Sequence, residues 1–221
     1  MHAPERLVRV LEHAATASYS EYAFRIVADR WRGFPLSAIG SVRSGGRYNA
    51  PNSFPVLYCA DSQLTAMMEV EALFTTGDGQ LKGVPRDPDL VLTVQCALSR
   101  VLDLTVDTLY AELGTAREEL TSLSPSRFIL NARGEQTPTQ RLGAACSFSG
   151  NISAIKVPSA THSSGFCLDI FIDSLVVGER LSILDNSGQM SAFIEGVIPH
   201  PNPTGSSTSV RPISKSQRAG S

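Results

Sequence analysis

The segment 32–55 constrains this chain more than any other. It separates two apolar stretches that read as strands, residues 21–28 and 56–60, and it carries Gly33, Gly40, Gly45, Gly46, Pro35, Pro51 and Pro55. Proline removes backbone donors and glycine loosens the chain, so this segment reads as a long loop. Loops of that length inside a domain are functional or disordered. The two strands it joins do not follow the even alternation of a parallel βαβ array, so the class expected is α+β.

The rest of the chain supports that class. Leu7, Val8, Leu11 and Ala14 share one face of a predicted helix over 5–16. Asp61 or Ser62 is placed to cap a helix running to about Phe74. Residues 77–89 are turn-rich. Residues 90–98 and 101–104 read as strands paired through Ser99-Arg100. Short helical segments are expected over 107–113 and 117–123. Thr137 caps a further helix to about Phe148, with Pro138 in its first turn. Residues 152–157, 166–172 and 181–184 complete the strands. The expectation is one domain over 1–198, with its core in 20–185. The Pro-, Ser- and Thr-rich tail, 199–221, is expected to be disordered.

Composition narrows the function. The chain has 19 basic and 21 acidic residues and a formal net charge of -2, so no basic field points to a nucleic acid. No run reaches the length of a membrane span, and the first residues lack the order of a signal peptide. A cytoplasmic protein is expected. Cys59, Cys96, Cys146 and Cys167 are too far apart in sequence for a paired motif and read as buried free thiols. No metal spacing occurs, so no metal is expected. The glycine patterns of phosphate loops and dinucleotide folds are missing, as is the nucleophile elbow of hydrolases.

Several residues are open to two roles. Arg47 follows two glycines and is either a solvated turn residue or a fork for phosphate oxygens. Arg25, among apolar neighbours, either forms a structural ion pair or waits for an anion. Tyr58 either packs in the core or stacks on a flat ring. Glu69 lies in Ala66-Met67-Met68-Glu69-Val70, where a carboxylate needs a partner or a purpose. Glu71, if it shares that helix, points about 200° away and does not converge with Glu69. Ser159 follows a strand end at Pro158-Ser159-Ala160 and is either a turn residue or a ligand contact. His162 is either a surface loop residue or a phosphate contact.

Taken in order, Phe24-Arg25, Gly45-Gly46-Arg47-Tyr48-Asn49, Leu57-Tyr58 and Ala66-Met67-Met68-Glu69 resemble the N-terminal half of the RES domain. Thr139-Gln140-Arg141-Leu142-Gly143, then Ile155 and Val157-Pro158-Ser159-Ala160, resemble its C-terminal half. The resemblance covers about residues 20–185. It implies an ADP-ribosyltransferase-like fold with strongly twisted central sheets flanked by helices. It also implies a bacterial toxin that cleaves NAD at the nicotinamide–ribose bond, by phosphorolysis or hydrolysis, and so arrests growth.

The implied catalytic residues are Glu69, Arg25 and Ser159, with Arg47, Tyr48, Asn49 and Tyr58 binding NAD. Tyr48 stands where the family usually has tryptophan. The implied partner is an Xre-like antitoxin that blocks the site and itself binds DNA, with a homodimer inside that complex. The acceptor is phosphate, water or a protein side chain. The alternative implied by the same residues is a mono-ADP-ribosyltransferase that modifies one protein. A non-catalytic binding module with the same fold is disfavoured by the presence of the Arg, Glu and Ser set. In the expected mechanism, Glu69 stabilises the oxocarbenium-like ribose, the arginines hold the diphosphate, and Ser159 positions the ribose.

Overall fold

A computed structural model of the chain describes residues 1–71, 73–84, 88–122 and 126–198. Its first half contains α1 (Pro4–Glu12), β1 (Ala17–Tyr19), β2 (Tyr22–Ala28), α2 (Ile39–Ser44), β3 (Val56–Ala60), α3 (Gln63–Glu69), β4 (Leu73–Thr75), β5 (Leu81–Gly83) and β6 (Asp89–Asp103). Then follow α4 (Tyr110–Leu113), α5 (Arg117–Leu120), α6 (Ser126–Ala132), α7 (Pro138–Phe148), β7 (Ala154–Pro158), β8 (Phe166–Phe171), β9 (Arg180–Ile183) and β10 (Phe193–Glu195).

β6 organises the sheet. From Val91 to Leu98 it alternates strictly, with Leu92, Val94, Cys96 and Leu98 buried, which is the period of two that a half-buried strand demands. At 15 residues it is long enough to serve several partners. Its first half pairs with β2 and its middle with β9, both antiparallel. Its last residues, Val101 to Asp103, pair in parallel with β7. β7 returns through β8 and β3 to β2, so the strands β6, β2, β3, β8 and β7 close a ring. β9 and β10 extend it on one side, and β4 and β5 form a separate two-stranded ladder.

Two cores follow from this closure. One draws on all five ring strands, through Ala23, Leu57, Val94, Ala154 and Leu168 among others, and fills the ring. The other packs Leu7 and Leu11 of α1 and Leu142 and Cys146 of α7 against Val56, Ile155 and Phe171 on the opposite face. The four cysteines are free and buried, as their apolar settings predict. The α+β class and the flanking helices are as expected, and the ring strands with β9 and β10 belong to one large mixed sheet.

The ring has a weak seam. β2 and β3 pair only at Phe24 and Ala60, and beyond that point they diverge. This divergence opens the cleft described below.

Four local expectations need correction. Ser99-Arg100 is not a turn: the strand runs straight through it. Arg100 buries its guanidinium, donating to Gly150 O at 2.6 Å and to Ser174 O, with Glu179 at 3.7 Å. Glu179 in turn accepts from Ser99 N and Ser99 Oγ at 2.8 and 2.9 Å. These polar residues serve a buried ion pair, not a loop. The helix after Ser62 stops at Glu69, because Glu71 adopts a left-handed φ of 58°. Glu71 therefore does not share the helix of Glu69, and the rotation of that helix does not separate the two. The segment 32–55 holds α2, and β1, β4, β5, α6 and β10 escaped the sequence reading, being short or weakly periodic. The tail expected to be disordered, 199–221, lies outside the described residues.

Candidate active site

α3 is set up by its own sequence. Ser62 caps it, accepting from Thr65 N at 3.1 Å. Thr65 Oγ1 then meets His162 Nδ1 at 2.8 Å, which ties the helix start to the loop after β7. Gly165 is what permits this approach, since a Cβ there would collide with the Thr65 hydroxyl. So His162 is a structural strut of this loop, half-buried rather than free on the surface.

At the other end of α3, Glu69 meets the residues just past β7. Ser159 Oγ donates to Glu69 Oε1 at 2.6 Å and Ala160 N donates to the same oxygen at 2.8 Å. Arg47 Nη2 donates to Oε2 at 3.5 Å. Ser159 Oγ itself accepts from His162 N at 3.0 Å. Burial pushes the Glu69 carboxyl up, but the Ser159 hydroxyl, the Arg47 charge, the Ala160 N–H and Thr161 outweigh it, and the net shift is downward. Glu69 is therefore an ionised carboxylate, 19% exposed, held on one side and open on the other.

The glycine turn is built from a second network. Tyr58 donates its hydroxyl to Asn49 Oδ1 at 2.7 Å and accepts from Tyr48 N at 3.1 Å. Gly46 sits so close that a Cβ would strike the Tyr58 hydroxyl. Gln140 on α7 donates from Nε2 toward Gly46 O and Asn49 O, each at 3.1 Å. The capping box at Thr137 fixes Gln140, whose Oε1 accepts from Thr137 N at 3.0 Å. The turn is thus pinned from both sides, and Arg47 projects toward Glu69.

Arg25 replaces the missing ladder at the seam. Its Nη1 donates to Tyr58 O at 3.1 Å and its Nη2 to Ser37 O at 3.0 Å. Its Nε is buried with no partner. Burial lowers its pKa, with no carboxylate among the described residues to offset this. A guanidinium in that state favours an anion at hand.

These groups line one cleft of about 470 Å³, in the size range of small-molecule sites. Arg25, Arg47, Tyr58 and Glu69 all border it. Ser159 reaches it through Glu69. Two expected ligand contacts, Asn49 and Tyr48, have side chains engaged within the protein. Asn49 is fully buried, and its Nδ2 donates to Ser41 O and Phe54 O while Oδ1 serves Tyr58. Both of its amide hydrogens are used within the protein. Tyr48 borders the cleft, but its hydroxyl donates to Leu120 O at 3.1 Å in the core, and it is 1% exposed. Both side chains support the turn that carries Arg47.

Three lining residues escaped the sequence reading. Arg127, on α6, adds a third guanidinium, and Thr161 flanks Ser159. Asp169 lies in β8, opposite Tyr58 in the ladder. A carboxyl amid Phe166-Cys167-Leu168-Asp169-Ile170-Phe171 is a legible anomaly. Arg127 gave no such signal. Glu71 also borders the cleft, at its exposed rim. Among the described residues no group of three or more His, Cys, Asp or Glu side chains is placed to hold a metal ion, and no helix is long and apolar enough to cross a membrane.

An α+β ring with an Arg-anchored carboxylate at its seam defines the class, and comparison with known proteins places the chain within it. The family model described as the RES domain matches residues 22–180, and the chain belongs to that family. It is 32% identical over 120 residues to proteins named NAD(+) phosphorylase MbcT from Mycobacterium bovis and Mycobacterium tuberculosis. That match covers 52% of this chain and 61% of those relatives, so it spans less than two thirds of their length. The fold is similar to a chain in the crystal structure of the M. tuberculosis MbcT–MbcA toxin–antitoxin complex, with a TM-score of 0.56 and 21% identity, over 88% of this chain and 94% of that one.

Proposed function

We propose that this protein is an NAD-cleaving toxin that breaks the nicotinamide–ribose bond with phosphate or water as acceptor. The observation that carries the reading is Glu69, kept ionised by Ser159, Ala160 N–H and Arg47 at the edge of a cleft that also presents Arg25. As the C1–N bond breaks, its electron pair leaves on the pyridine nitrogen and positive charge builds on the ribose. A fixed carboxylate lowers the energy of that cation. Arg25 and Arg47 hold the diphosphate, so that binding energy remote from C1 orients the ribose. An oxygen of phosphate or water then bonds to C1, giving ADP-ribose 1-phosphate or ADP-ribose. The name of the mycobacterial relatives favours phosphate.

The partner in this reading is an antitoxin of the Xre type that covers the cleft, with two toxin copies in the complex, in the cytoplasm. The likeness to a toxin–antitoxin structure supports a protein partner. The purified protein should be incubated with NAD with and without phosphate, and the products identified by mass spectrometry. Release of nicotinamide with ADP-ribose 1-phosphate is the expected result. ADP-ribose joined to an added extract protein would replace this reading with protein modification, and intact NAD would end it.

A further inference from the structure

Three carboxyls line the cleft, Glu69, Glu71 and Asp169; Glu71 is exposed at the rim, and Asp169 is the buried one that the proposed mechanism does not use. It is 1% exposed, it borders the cleft, and its Oδ1 is buried without a hydrogen-bond partner. Native proteins seldom leave such an atom unpaired unless a ligand supplies the partner. The ladder shows why it is held there. Asp169 is paired with Tyr58 on one side and Ile155 on the other, so its side chain is fixed at the centre of three strands.

We propose that Asp169 recognises the primary carboxamide on the leaving pyridine base of the dinucleotide. This rests on the NAD-cleaving reading above. Its protonation follows from its surroundings. Tyr58 and Cys59 on β3, Tyr48 and Arg47 on the glycine turn, Glu69 on α3 and Cys167 on its own strand face it electrostatically. Arg47 is the cation in that set, and it is already paired with Glu69. Burial, only partly offset by Arg47, raises the Asp169 pKa well above the usual carboxylate range.

The two inner carboxyls of the cleft, Glu69 and Asp169, are therefore driven apart, Glu69 toward the ionised form and Asp169 toward the neutral one, a separation that marks distinct roles. A neutral carboxyl offers one O–H donor and one carbonyl acceptor side by side. A primary carboxamide offers the complementary N–H and C=O. A diphosphate wants cations, and Arg25 and Arg47 supply them. NAD has two neutral, planar, two-point groups of this kind, the carboxamide and the adenine edge; Asp169 faces Glu69, which the mechanism places at C1, so the carboxamide is the one on its side of the molecule.

The test pairs variants with a substrate analogue. Initial rates are compared for NAD and for the dinucleotide in which hydrogen replaces the carboxamide. Asp169→Leu should lower kcat/KM on NAD by about 10- to 100-fold, because buried polar groups of the substrate lose their partners. On the analogue its loss should be within about threefold, since no carboxamide remains to be recognised. Asp169→Asn keeps a neutral donor and acceptor and should stay within about fivefold of wild type on NAD. Equal losses on both substrates, or a loss for Asn as large as for Leu, would overturn the assignment. Thermal melts identify a misfolded Leu variant, in which case Asp169→Ala enters the same comparison.

Binding of free nicotinamide, followed by NMR, separates this proposal from the one it rests on. Nicotinamide bound by wild type but not by the Leu variant, with NAD left intact, would sink the cleavage reading and retain the recognition. Cleavage of NAD with unchanged nicotinamide binding in the Leu variant would do the reverse.

Discussion

Ser159 donates its hydroxyl proton to Glu69 Oε1 at 2.6 Å, across 90 positions of sequence. With Ala160 N–H on the same oxygen, it fixes the carboxylate in one orientation and leaves its other oxygen to Arg47. The helix that carries Glu69 and the strand end that carries Ser159 are also held by contacts other than this one, the Ser62 cap, the Thr65–His162 contact and the β7–β8 ladder. The pairing is thus preorganised before any substrate arrives, which is the condition for an electrostatic contribution to catalysis.

Glu69→Gln removes the charge and keeps the shape. Turnover of NAD should fall by about 10²- to 10³-fold, the usual effect of losing one preorganised electrostatic group. The fold should persist, with a modest fall in melting temperature as the contacts to Ser159, Ala160 and Arg47 weaken. Chromatographic NAD loss measures the first and calorimetry the second. Turnover within about threefold of wild type would remove Glu69 from the mechanism.

The pH profile follows from the same contacts. A carboxylate whose folded pKa lies below its unfolded value contributes its stabilisation in full above the unfolded pKa, about 4.3 for Glu, and loses it as pH falls through the folded pKa. Glu69 and Glu179 are both depressed, so stability should fall on the acid side of that window. Ser159→Ala removes a hydrogen bond that holds Glu69 down, so the acid limb of kcat/KM should move to higher pH. A limb that stays put or moves lower would contradict the geometry at Ser159.

Gln140→Leu should destabilise the fold by about 2–4 kcal/mol, because Gly46 O and Asn49 O lose their buried donor. Urea unfolding gives the number. Since Gly46 and Asn49 flank Arg47, KM for NAD should rise as well. A stable variant with unchanged KM would mean that the turn does not depend on α7.

Gly46→Ala tests the closeness of the turn to Tyr58. The added Cβ meets the phenol ring and its hydroxyl, and overpacking of this kind costs about 1–3 kcal/mol. For a chain of this size that corresponds to a fall of about 2–12 °C in melting temperature. An unchanged melt would show that Tyr58 yields easily.

The sequence by itself determined the α+β class, the capped helix from Thr137, the buried thiols, and the identity of Arg25, Arg47, Glu69 and Ser159 as residues needing explanation. These are local signals. A Thr-Pro start, an alternating strand or a carboxylate among apolar neighbours is written within a few residues. What only the tertiary structure decided depends on residues far apart meeting. Ser99-Arg100 looks like a turn until Glu179, 80 positions away from Ser99, supplies its partner. That the Asn49 side chain is buried and bonded to Tyr58, Ser41 and Phe54 is written nowhere near it in a readable pattern. Asp169 shows its isolation only once the ladder seals it against Tyr58. Local propensity acts over a turn or two of chain, whereas desolvation and hydrogen-bond satisfaction are set by what lies across the ring. That is why the residues of the site were legible singly, and their division of labour only after folding.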